Sequence, residues 1–398
     1  MIRRVAHIVE NLNQGGIARV VLSLASEMHL LGVHTDILTL DHRVQFEPDP
    51  HIGIRQISII GLTASAPSYG RIVRKVGRAL LGRRAFWHLA SGWFCRQMQQ
   101  YVTVGGYDCV FFHGLPVCWP FHRWSWPNGI FVLHNLKSLQ VSADTAAWEY
   151  RLYRKTLLNK QLVAVSETVR QDAIENFGVN PAAIATIYNP VDFDTIQAKT
   201  EPYATLPASA LTAGYVLFVG RLVREKRVDL LLQAFAKAKI PEHLLVLGQG
   251  PIQAELEGLM ERLSLAGRVH FLGFIENPYP YMRHAKALVL PSKFEGFGLV
   301  IVEALACGTS VISTRTGPAE EIMVGPLAAG LIASGDEAGL IEKLHAASHG
   351  RLPVADRDYL RRFDKRLIAE RYLDLAERVL GAATGFERAS NDIESAPK

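Results

Sequence analysis

The sequence predicts an α/β protein made of two doubly wound domains, each built on a parallel sheet. Continuous apolar runs recur along the chain, and Tyr107–His113 (YDCVFFH) is typical of them. Such runs are characteristic of parallel strands, because helices cover both faces of a parallel sheet. Segments with helical spacing separate the runs, as regular βαβ connections require. The length of 398 residues fits two domains of ordinary size.

Composition and charge exclude several classes of protein. With 49% apolar and 20% charged residues, the composition is that of a soluble globular protein. No apolar run reaches the roughly 18 residues that span a bilayer, and the N-terminus is interpreted as a first strand rather than a signal peptide. The net charge of +5 is too small to indicate nucleic acid as a partner. The four cysteines show no zinc-binding spacing, so we expect buried free thiols in a reducing cytoplasm.

The first domain is predicted over residues 1–200. Its strands are predicted at Arg4–Glu10, Ile37–Leu40, Ile54–Ile59, Tyr107–His113, Gly129–His134, Leu162–Ser166 and Ile184–Tyr188. A helix begins near Ile17, and Gly15 and Gly16 at its entry allow the backbone to approach a ligand closely. This turn lacks the G-x-G-x-x-G fingerprint, which disfavours a nicotinamide dehydrogenase.

Two predicted strands of this domain end in a histidine, His113 and His134. Ligands of doubly wound sheets lie beyond the carboxyl ends of the strands, so both histidines are candidate ligand contacts. The alternative is a structural role, since a histidine at a strand end is as often a hydrogen-bonding group of the fold.

A long stretch between Asp49 and Asp108 contains no acidic residue. Its basic residues include Arg71, Arg74, Lys75, Arg78, Arg83, Arg84 and Arg96. Aromatic residues are interleaved with them, namely Phe86, Trp87, Trp93 and Phe94. This pattern is typical of helices that rest on an anionic membrane surface, although an ordinary solvated helix face with core aromatics is the alternative. We therefore predict a peripheral protein that contacts the inner face of the cytoplasmic membrane through its Arg71–Arg96 region.

The second domain is predicted over residues 215–365, after a linker at Lys199–Gly214 that is rich in Pro, Ala and Thr. Its strands are predicted at Val216–Gly220, Leu244–Gly248, Val269–Gly273, Ala287–Leu290 and Ser310–Thr314. Arg221 and Lys226 follow the first of these strands, where they are suited to pair with a diphosphate. A solvated basic loop is the ordinary alternative for these two residues.

The stretch Pro291–Thr314 (PSKFEGFGLVIVEALACGTSVIST) predicts a loop, a short helix and a strand. The helix begins around Phe297, Gly298 and Leu299, whose backbone N–H groups have no intrahelical partner. Such groups hold anions, most simply a phosphate. The stretch therefore predicts a phosphate-binding helix terminus.

Two glutamates of this stretch are candidate sugar contacts. Glu303 lies within an apolar run, where an unpaired carboxylate is costly, and its oxygens are suited to the diol of a ribose. Glu295 lies ahead of the helix, where a sugar beyond the phosphate is expected. The Glu-x7-Glu spacing within EGFGLVIVEALACGT resembles the signature of the retaining glycosyltransferases of family 4, which have the GT-B fold. That resemblance implies two Rossmann-like domains facing a cleft.

The resemblance also implies what the chain binds and which residues bind it. The donor is expected to be a nucleoside diphosphate sugar, most simply a UDP- or GDP-sugar, and the acceptor a saccharide or lipid-linked saccharide of surface polysaccharide or lipopolysaccharide assembly. The implied donor contacts are Gly15, Gly16, Arg221, Lys226, Gly248, Phe274, Phe297, Gly298, Leu299 and Glu303. The implied catalytic residues are Glu295, His134, Lys226 and Arg221. His113 is the candidate acceptor contact, and no metal ion or other cofactor is expected.

Two alternatives share this fold, a membrane-associated scaffold without catalysis and a nucleotide-sugar epimerase. The two-glutamate motif disfavours the epimerase, and the presence of both basic residues with both glutamates disfavours the scaffold. The pair Asp192-x-Asp194 mimics a metal motif but follows a turn, and we interpret it as chance. Residues 366–382 are predicted as a helix that crosses back to the first domain, and residues 384–398 as a disordered tail.

Overall fold

The computed structural model describes residues 1–12, 15–40, 50–57, 89–135, 147–201 and 212–394. The chain divides into two compact units. Unit 1 contains Met1–Pro190 and Lys365–Lys398, and unit 2 contains Val191–Asp364. Most of the predicted basic region and most of the predicted linker lie outside the described residues.

Unit 1 is built on a parallel sheet with the strand order β3-β2-β1-β4-β5-β6-β7. Its strands are β1 (Arg4–Val9), β2 (His34–Thr39), β3 (Gly53–Gln56), β4 (Cys109–His113), β5 (Gly129–Leu133), β6 (Gln161–Ala164) and β7 (Ile184–Thr186). In the register of the central strands, His7 of β1 lies opposite Ile37 of β2 and Phe111 of β4. The central strands β4 and β5 are buried along their whole length, as their apolar runs predict.

Helices cover the sheet of unit 1. They are α1 (Gly16–Leu30), α2 (residues 89–105), α3 (Leu115–Cys118), α4 (Ala147–Leu157) and α5 (Glu167–Phe177). Val21 and Ala25 of α1 pack with Val9 of β1 and Ile37 of β2 in one buried cluster. The helical spacing of apolar residues therefore places α1 on the sheet as the sequence predicts.

Unit 2 repeats the architecture with the strand order β10-β9-β8-β11-β12-β13. Its strands are β8 (Tyr215–Val219), β9 (His243–Leu247), β10 (Val269–Gly273), β11 (Leu288–Leu290), β12 (Val311–Thr314) and β13 (Leu331–Ile332). Its helices are α6 (Phe193–Ala198), α7 (Val228–Ala238), α8 (Gln253–Arg262), α9 (Tyr279–His284), α10 (Leu299–Ala306), α11 (Pro318–Ile322), α12 (Glu337–Ser348) and α13 (Arg357–Leu360). All described pairings in both sheets are parallel, which confirms the predicted fold class of two doubly wound domains.

Unit 2 begins earlier than the predicted linker, directly after Pro190. The backbone N–H of Val191 donates to the carbonyl of Phe363 at 2.8 Å, and α6 packs against α10. Asp192, from the apparent metal motif, caps α6 by accepting the Thr195 N–H at 2.9 Å. This part of the chain is therefore tied to unit 2.

The last helix, α14 (Lys365–Glu394), belongs to unit 1 and packs against α1. It is longer than the predicted helix over 366–382 and includes residues that were predicted as a disordered tail. The physical reason is local propensity, because Ala, Glu and Arg are frequent in this stretch and the first proline after residue 353 is Pro397. The four cysteines, Cys95, Cys109, Cys118 and Cys307, are buried free thiols, as predicted.

Candidate functional site

The strand order of unit 2 reverses between β8 and β11, and most of its candidate donor residues follow these two strands. Ligands of open α/β sheets bind outside the carboxyl ends of the strands at such a reversal. Lys226 follows β8, and Glu295 follows β11. The backbone N–H of Lys293 donates to the carbonyl of Glu225 at 2.7 Å, which joins the two loops.

Lys226 and Glu295 form an ion pair, with 2.6 Å between Nζ and Oε1. The Lys226 side chain is 23% exposed and the Glu295 side chain 10% exposed. A charge-assisted hydrogen bond in such a sheltered place is among the stronger side-chain contacts, and losing either partner leaves the other charge poorly solvated. The structure therefore brings together two residues that the sequence assigns to one site.

Lys226 ends a 3₁₀ turn, Arg224–Lys226, and the next residue has an unusual backbone conformation. Arg227 has φ 51° and ψ 39°, which is the left-handed region. Glycine adopts this conformation without strain, whereas a residue with a Cβ does so at some cost. Arg227 also lies 3.2 Å from Asp229 through its Nε, which helps to hold the start of α7.

Helix α10 begins next to Glu295 without a side-chain cap. Gly298 is its N-cap residue, with φ 90°, and offers the first turn no side-chain cap. The N–H groups of this turn are thus suited to an anion. Phe297 is buried and contacts the ring of Phe363 edge-on at 5.7 Å between centroids, while Leu299 is half-buried.

Glu303 is buried on α10, and Tyr279 Oη donates to its Oε1 at 3.4 Å. Tyr279 was not among the predicted site residues, because no local motif marks it and α9 is remote in sequence from α10. Phe274 and Arg221 are exposed after β10 and β8.

Gly248 is required by the packing of two loops. A Cβ added to it would lie 1.8 Å from the carbonyl oxygen of Gly220, and its φ is 140°. The loop after β9 therefore lies directly on the loop after β8, and this contact determines the residue type.

In unit 1 the strand order reverses between β1 and β4. Gly15 and Gly16 are exposed where α1 begins after β1, and Gly15 is the N-cap residue with φ 138° and no side-chain cap. The predicted glycine turn therefore lies at the strand-order reversal of the first sheet, which is where open α/β sheets in general bind ligands.

His113 ends β4 at the same reversal, and it joins two other histidines in a hydrogen-bonded chain. Nδ1 of His7 lies 2.9 Å from Nε2 of His113, and Nδ1 of His113 lies 3.1 Å from Nε2 of His134. The rings are almost wholly buried, with His134 the most exposed at 7%. Burial disfavours the charged imidazole and lowers the pKa of His7 and of His134 to about 3. The pKa of His113 is also lowered by burial, and the two neighbouring histidines lower it further.

This geometry corrects the assignment of His113 and adds His7 to the site. Both ring nitrogens of His113 are engaged and the side chain is 1% exposed, so it has no nitrogen to offer an acceptor. The sequence signal for His7 was its place in an otherwise apolar strand (RVAHIVE), because a histidine buried in a central strand needs a polar partner.

Two further findings concern the described residues only. They contain no group of three or more His, Cys, Asp or Glu side chains that could hold a metal ion. Their helices include none with the length and apolar character needed to cross a bilayer.

Comparison with known proteins adds the family. The sequence model of Glycosyltransferase Family 4 matches residues 14–195, and that of Glycosyl transferases group 1 matches residues 207–365. An N-acetylgalactosamine-N,N'-diacetylbacillosaminyl-diphospho-undecaprenol 4-alpha-N-acetylgalactosaminyltransferase of Campylobacter jejuni is 37% identical over 144 residues. The match covers 36% of this chain and only 38% of that relative.

Solved structures with similar folds align over nearly the whole chain. Sucrose-phosphate synthase from Thermosynechococcus elongatus aligns with a TM-score of 0.71 and 21% identity, over 96% of this chain and 100% of the other. Anabaena HepE in complex with UDP aligns with a TM-score of 0.66 and 18% identity, over 95% and 100%.

Two Rossmann-like units with parallel sheets and these structural neighbours define a protein with the GT-B fold. The two family models together match most of the chain, and the chain belongs to family 4 of the glycosyltransferases.

Proposed function

We propose that this protein is a retaining glycosyltransferase that moves a sugar from a nucleoside diphosphate sugar to a saccharide or lipid-linked saccharide. The observation that carries the proposal is the Lys226–Glu295 ion pair at the strand-order reversal of unit 2. It joins a cation suited to phosphate and a carboxylate suited to sugar hydroxyls at the place where such sheets bind ligands. Membership of the family supports the same reaction class.

Donor binding, in this proposal, is an exchange of partners. The donor diphosphate replaces Glu295 beside Lys226, and the released carboxylate accepts hydrogen bonds from the sugar hydroxyls. Arg221, exposed after β8, supplies a second cation, and the N–H groups that begin α10 bind another phosphate oxygen. Glu303 accepts hydrogen bonds from the ribose diol.

The transfer step breaks the bond between sugar C1 and the leaving phosphate oxygen. A bond from C1 to the acceptor oxygen forms on the same face, and the acceptor proton passes to the leaving phosphate. Positive charge develops at C1 and the ring oxygen, and negative charge develops on the diphosphate. Lys226, Arg221 and the α10 amide groups stabilise the diphosphate, so we expect no requirement for a metal ion.

The first prediction concerns Lys226. Lys226→Met should abolish most of the thermal stabilisation by the preferred nucleotide sugar and lower kcat/KM by about 100-fold, because the leaving-group charge loses a sheltered donor. The measurement is the unfolding midpoint and the transfer rate with UDP-, GDP-, ADP- and CMP-sugars, each with and without EDTA.

Lys237→Met is the matched control, since Lys237 also pairs with a glutamate in unit 2, Glu337 at 2.6 Å, but is 61% exposed. It should leave both quantities unchanged. Full activity of Lys226→Met would contradict the proposed role of Lys226. A product with an altered free sugar and no transfer would indicate an epimerase, and no response to any donor would favour the scaffold.

We propose further that the acceptor is lipid-linked and that the protein works at an anionic membrane surface, in lipopolysaccharide or other surface polysaccharide assembly. The Campylobacter relative is named for an undecaprenol-linked saccharide, which supports this acceptor class. Helix α2, at the end of the basic aromatic region, exposes Leu89, Trp93, Arg96 and Val104. These positions share one helix face, and apolar groups with a cation suit a lipid interface.

The second prediction tests this surface. The double variant Leu89→Ser with Trp93→Ser should bind anionic vesicles at least about tenfold more weakly than the wild type, because it removes the apolar area that enters the lipid. Flotation on vesicles of anionic and of zwitterionic phospholipid measures the effect. Val324→Ser with Val354→Ser, on exposed residues of unit 2, is the control and should bind normally. If the wild type fails to float at low salt, the membrane proposal is wrong.

A further inference from the structure

The chain of three histidines in unit 1 has a direction. Three histidines lie on one sheet face: His7 on β1, His113 on β4 and His134 after β5. His7 lies opposite Phe111, two residues before His113, and His113 lies opposite Val132, two residues before His134. Residues that lie opposite each other, or two apart on one strand, share a face. Each link joins Nδ1 of one ring to Nε2 of the next. The rings are buried, so each is a neutral imidazole that carries one proton.

Two proton arrangements satisfy both links. In the first, all three rings carry the proton on Nδ1, so His7 donates to His113 and His113 donates to His134. In the second, all three rings carry it on Nε2, and the donation runs in the opposite direction. A mixed arrangement would place two protons or two lone pairs in one link. The ends of the chain therefore decide the state of every ring.

The inner end of the chain favours the first arrangement. Nε2 of His7 is buried and has no hydrogen-bond partner among the described residues. The second arrangement would leave an N–H donor orphaned there, whereas the first leaves only a lone pair. Orphaned buried N–H groups are rare in proteins, and acceptors without a full set of partners are less so. The ring of His7 stacks on the apolar ring of Phe111, with 5.1 Å between the two centroids.

The outer end of the chain is His134. Its described hydrogen bond uses Nε2, and it is the most exposed of the three side chains. In the first arrangement Nε2 accepts from His113 and Nδ1 carries a proton. His134 then has a donor to offer and no free lone pair with which to remove a proton.

We propose that His7 and His113 are positioning residues that hold His134 as the Nδ1–H tautomer, so that it donates a hydrogen bond to an oxygen of the bound ligand and does not act as a base. The ligand oxygen, a phosphate or sugar oxygen of the donor, rests on the proposed function. The tautomer itself does not depend on it. The assignment also agrees with a transfer step in which the leaving phosphate takes the acceptor proton.

Long-range ¹H–¹⁵N correlation spectra of ¹⁵N-histidine-labelled, ligand-free protein test this directly, because the two neutral tautomers give different cross-peak patterns. We expect the Nδ1–H pattern for all three rings near neutral pH, with each signal assigned through its loss in a single variant. The Nε2–H pattern at His134 in the wild type overturns the proposal.

Two variants of His7 separate positioning from packing. His7→Asp puts a carboxylate, which only accepts, in place of the donor to His113. Nε2 of His113 should then carry the proton, and His134 should shift towards the Nε2–H tautomer. This variant should also lower kcat/KM by about tenfold, the value of roughly one hydrogen bond. His7→Phe keeps a ring against Phe111 and leaves Nε2 of His113 as the buried inner end, where a lone pair is again favoured, so His134 should keep the Nδ1–H tautomer.

The outcomes are distinct from those of the functional test. An unchanged His134 tautomer in His7→Asp overturns the proposal, even if activity falls through altered packing. The predicted tautomers in a protein that transfers no sugar would support the tautomer assignment and refute the proposed function.

Discussion

The hydrogen-bonded chain of three neutral imidazoles exists only because His7, His113 and His134 lie side by side. Each is an ordinary residue of a strand or strand end, and each is neutral because burial lowers its pKa. The sequence predicted the two at strand ends, because strand ends are where ligands bind. It did not predict His7, since only the register of β1 against β4 places that ring beside His113.

The third prediction is that the buried histidines make the protein sensitive to acid. The pKa of His7 and of His134 is about 3 in the fold, against an ordinary 6.5, so the unfolded chain binds protons first as pH falls. Stability is therefore complete above about pH 6.5 and is lost towards pH 3, at about 1.4 kcal/mol per pH unit for each histidine.

Urea unfolding between about pH 6.5 and pH 5.5 measures this slope while most carboxylates remain ionised. His7→Phe should lose about 1 kcal/mol less than the wild type over that interval. Equal losses in the two proteins would show that His7 is already charged in the fold.

The fourth prediction concerns two buried tyrosines. Tyr372 Oη on α14 is buried with no hydrogen-bond partner among the described residues, whereas Tyr215 Oη donates to the carbonyl of Tyr281 at 2.8 Å. Tyr372→Phe should raise the free energy of unfolding by about 1 kcal/mol, because it removes an unsatisfied group. Tyr215→Phe is the opposite control and should lower it by about 1 kcal/mol. Loss of stability in both variants would indicate that Tyr372 has a buried partner, such as a water molecule.

Strands and helices were the best predicted level of the structure. Continuous apolar runs located β4, β5 and the central strands of unit 2, because burial on both faces leaves little freedom in residue type. Strand β13 was missed, since two residues carry no periodicity. The end of α14 was missed because a polar, proline-free stretch is compatible with both helix and disorder.

The fifth prediction is made at the level of the loops between elements. Gly248→Ala should lower the free energy of unfolding by about 3 kcal/mol or more, because its Cβ would overlap the carbonyl of Gly220 at 1.8 Å. Gly267→Ala tests backbone conformation alone, since Gly267 has φ 79° and nothing within 4 Å of an added Cβ. It should lose about 1 kcal/mol. Equal losses in denaturant unfolding would mean that the loop after β9 moves away to admit the methyl group.

At the level of the whole molecule, the two units share one design. Each has a parallel sheet whose strand order reverses once near the middle, and most of the candidate residues of each unit follow the strands at that reversal. The sequence predicted this architecture from the alternation of elements. It did not predict the Lys226–Glu295 contact, because that contact depends on β8 and β11 being neighbours.

The placement of α14 has a consequence for how the protein folds during its synthesis. Unit 1 is assembled from both ends of the chain, and unit 2 is one continuous segment between them. During translation, the ribosome therefore releases every residue of unit 2 before it releases α14, whose Tyr372 ring packs against Phe111 of the sheet. Unit 2 can fold on the nascent chain, whereas the sheet of unit 1 keeps an apolar surface exposed until α14 has been synthesised. We expect chaperone contacts with the growing chain to concentrate on the first unit.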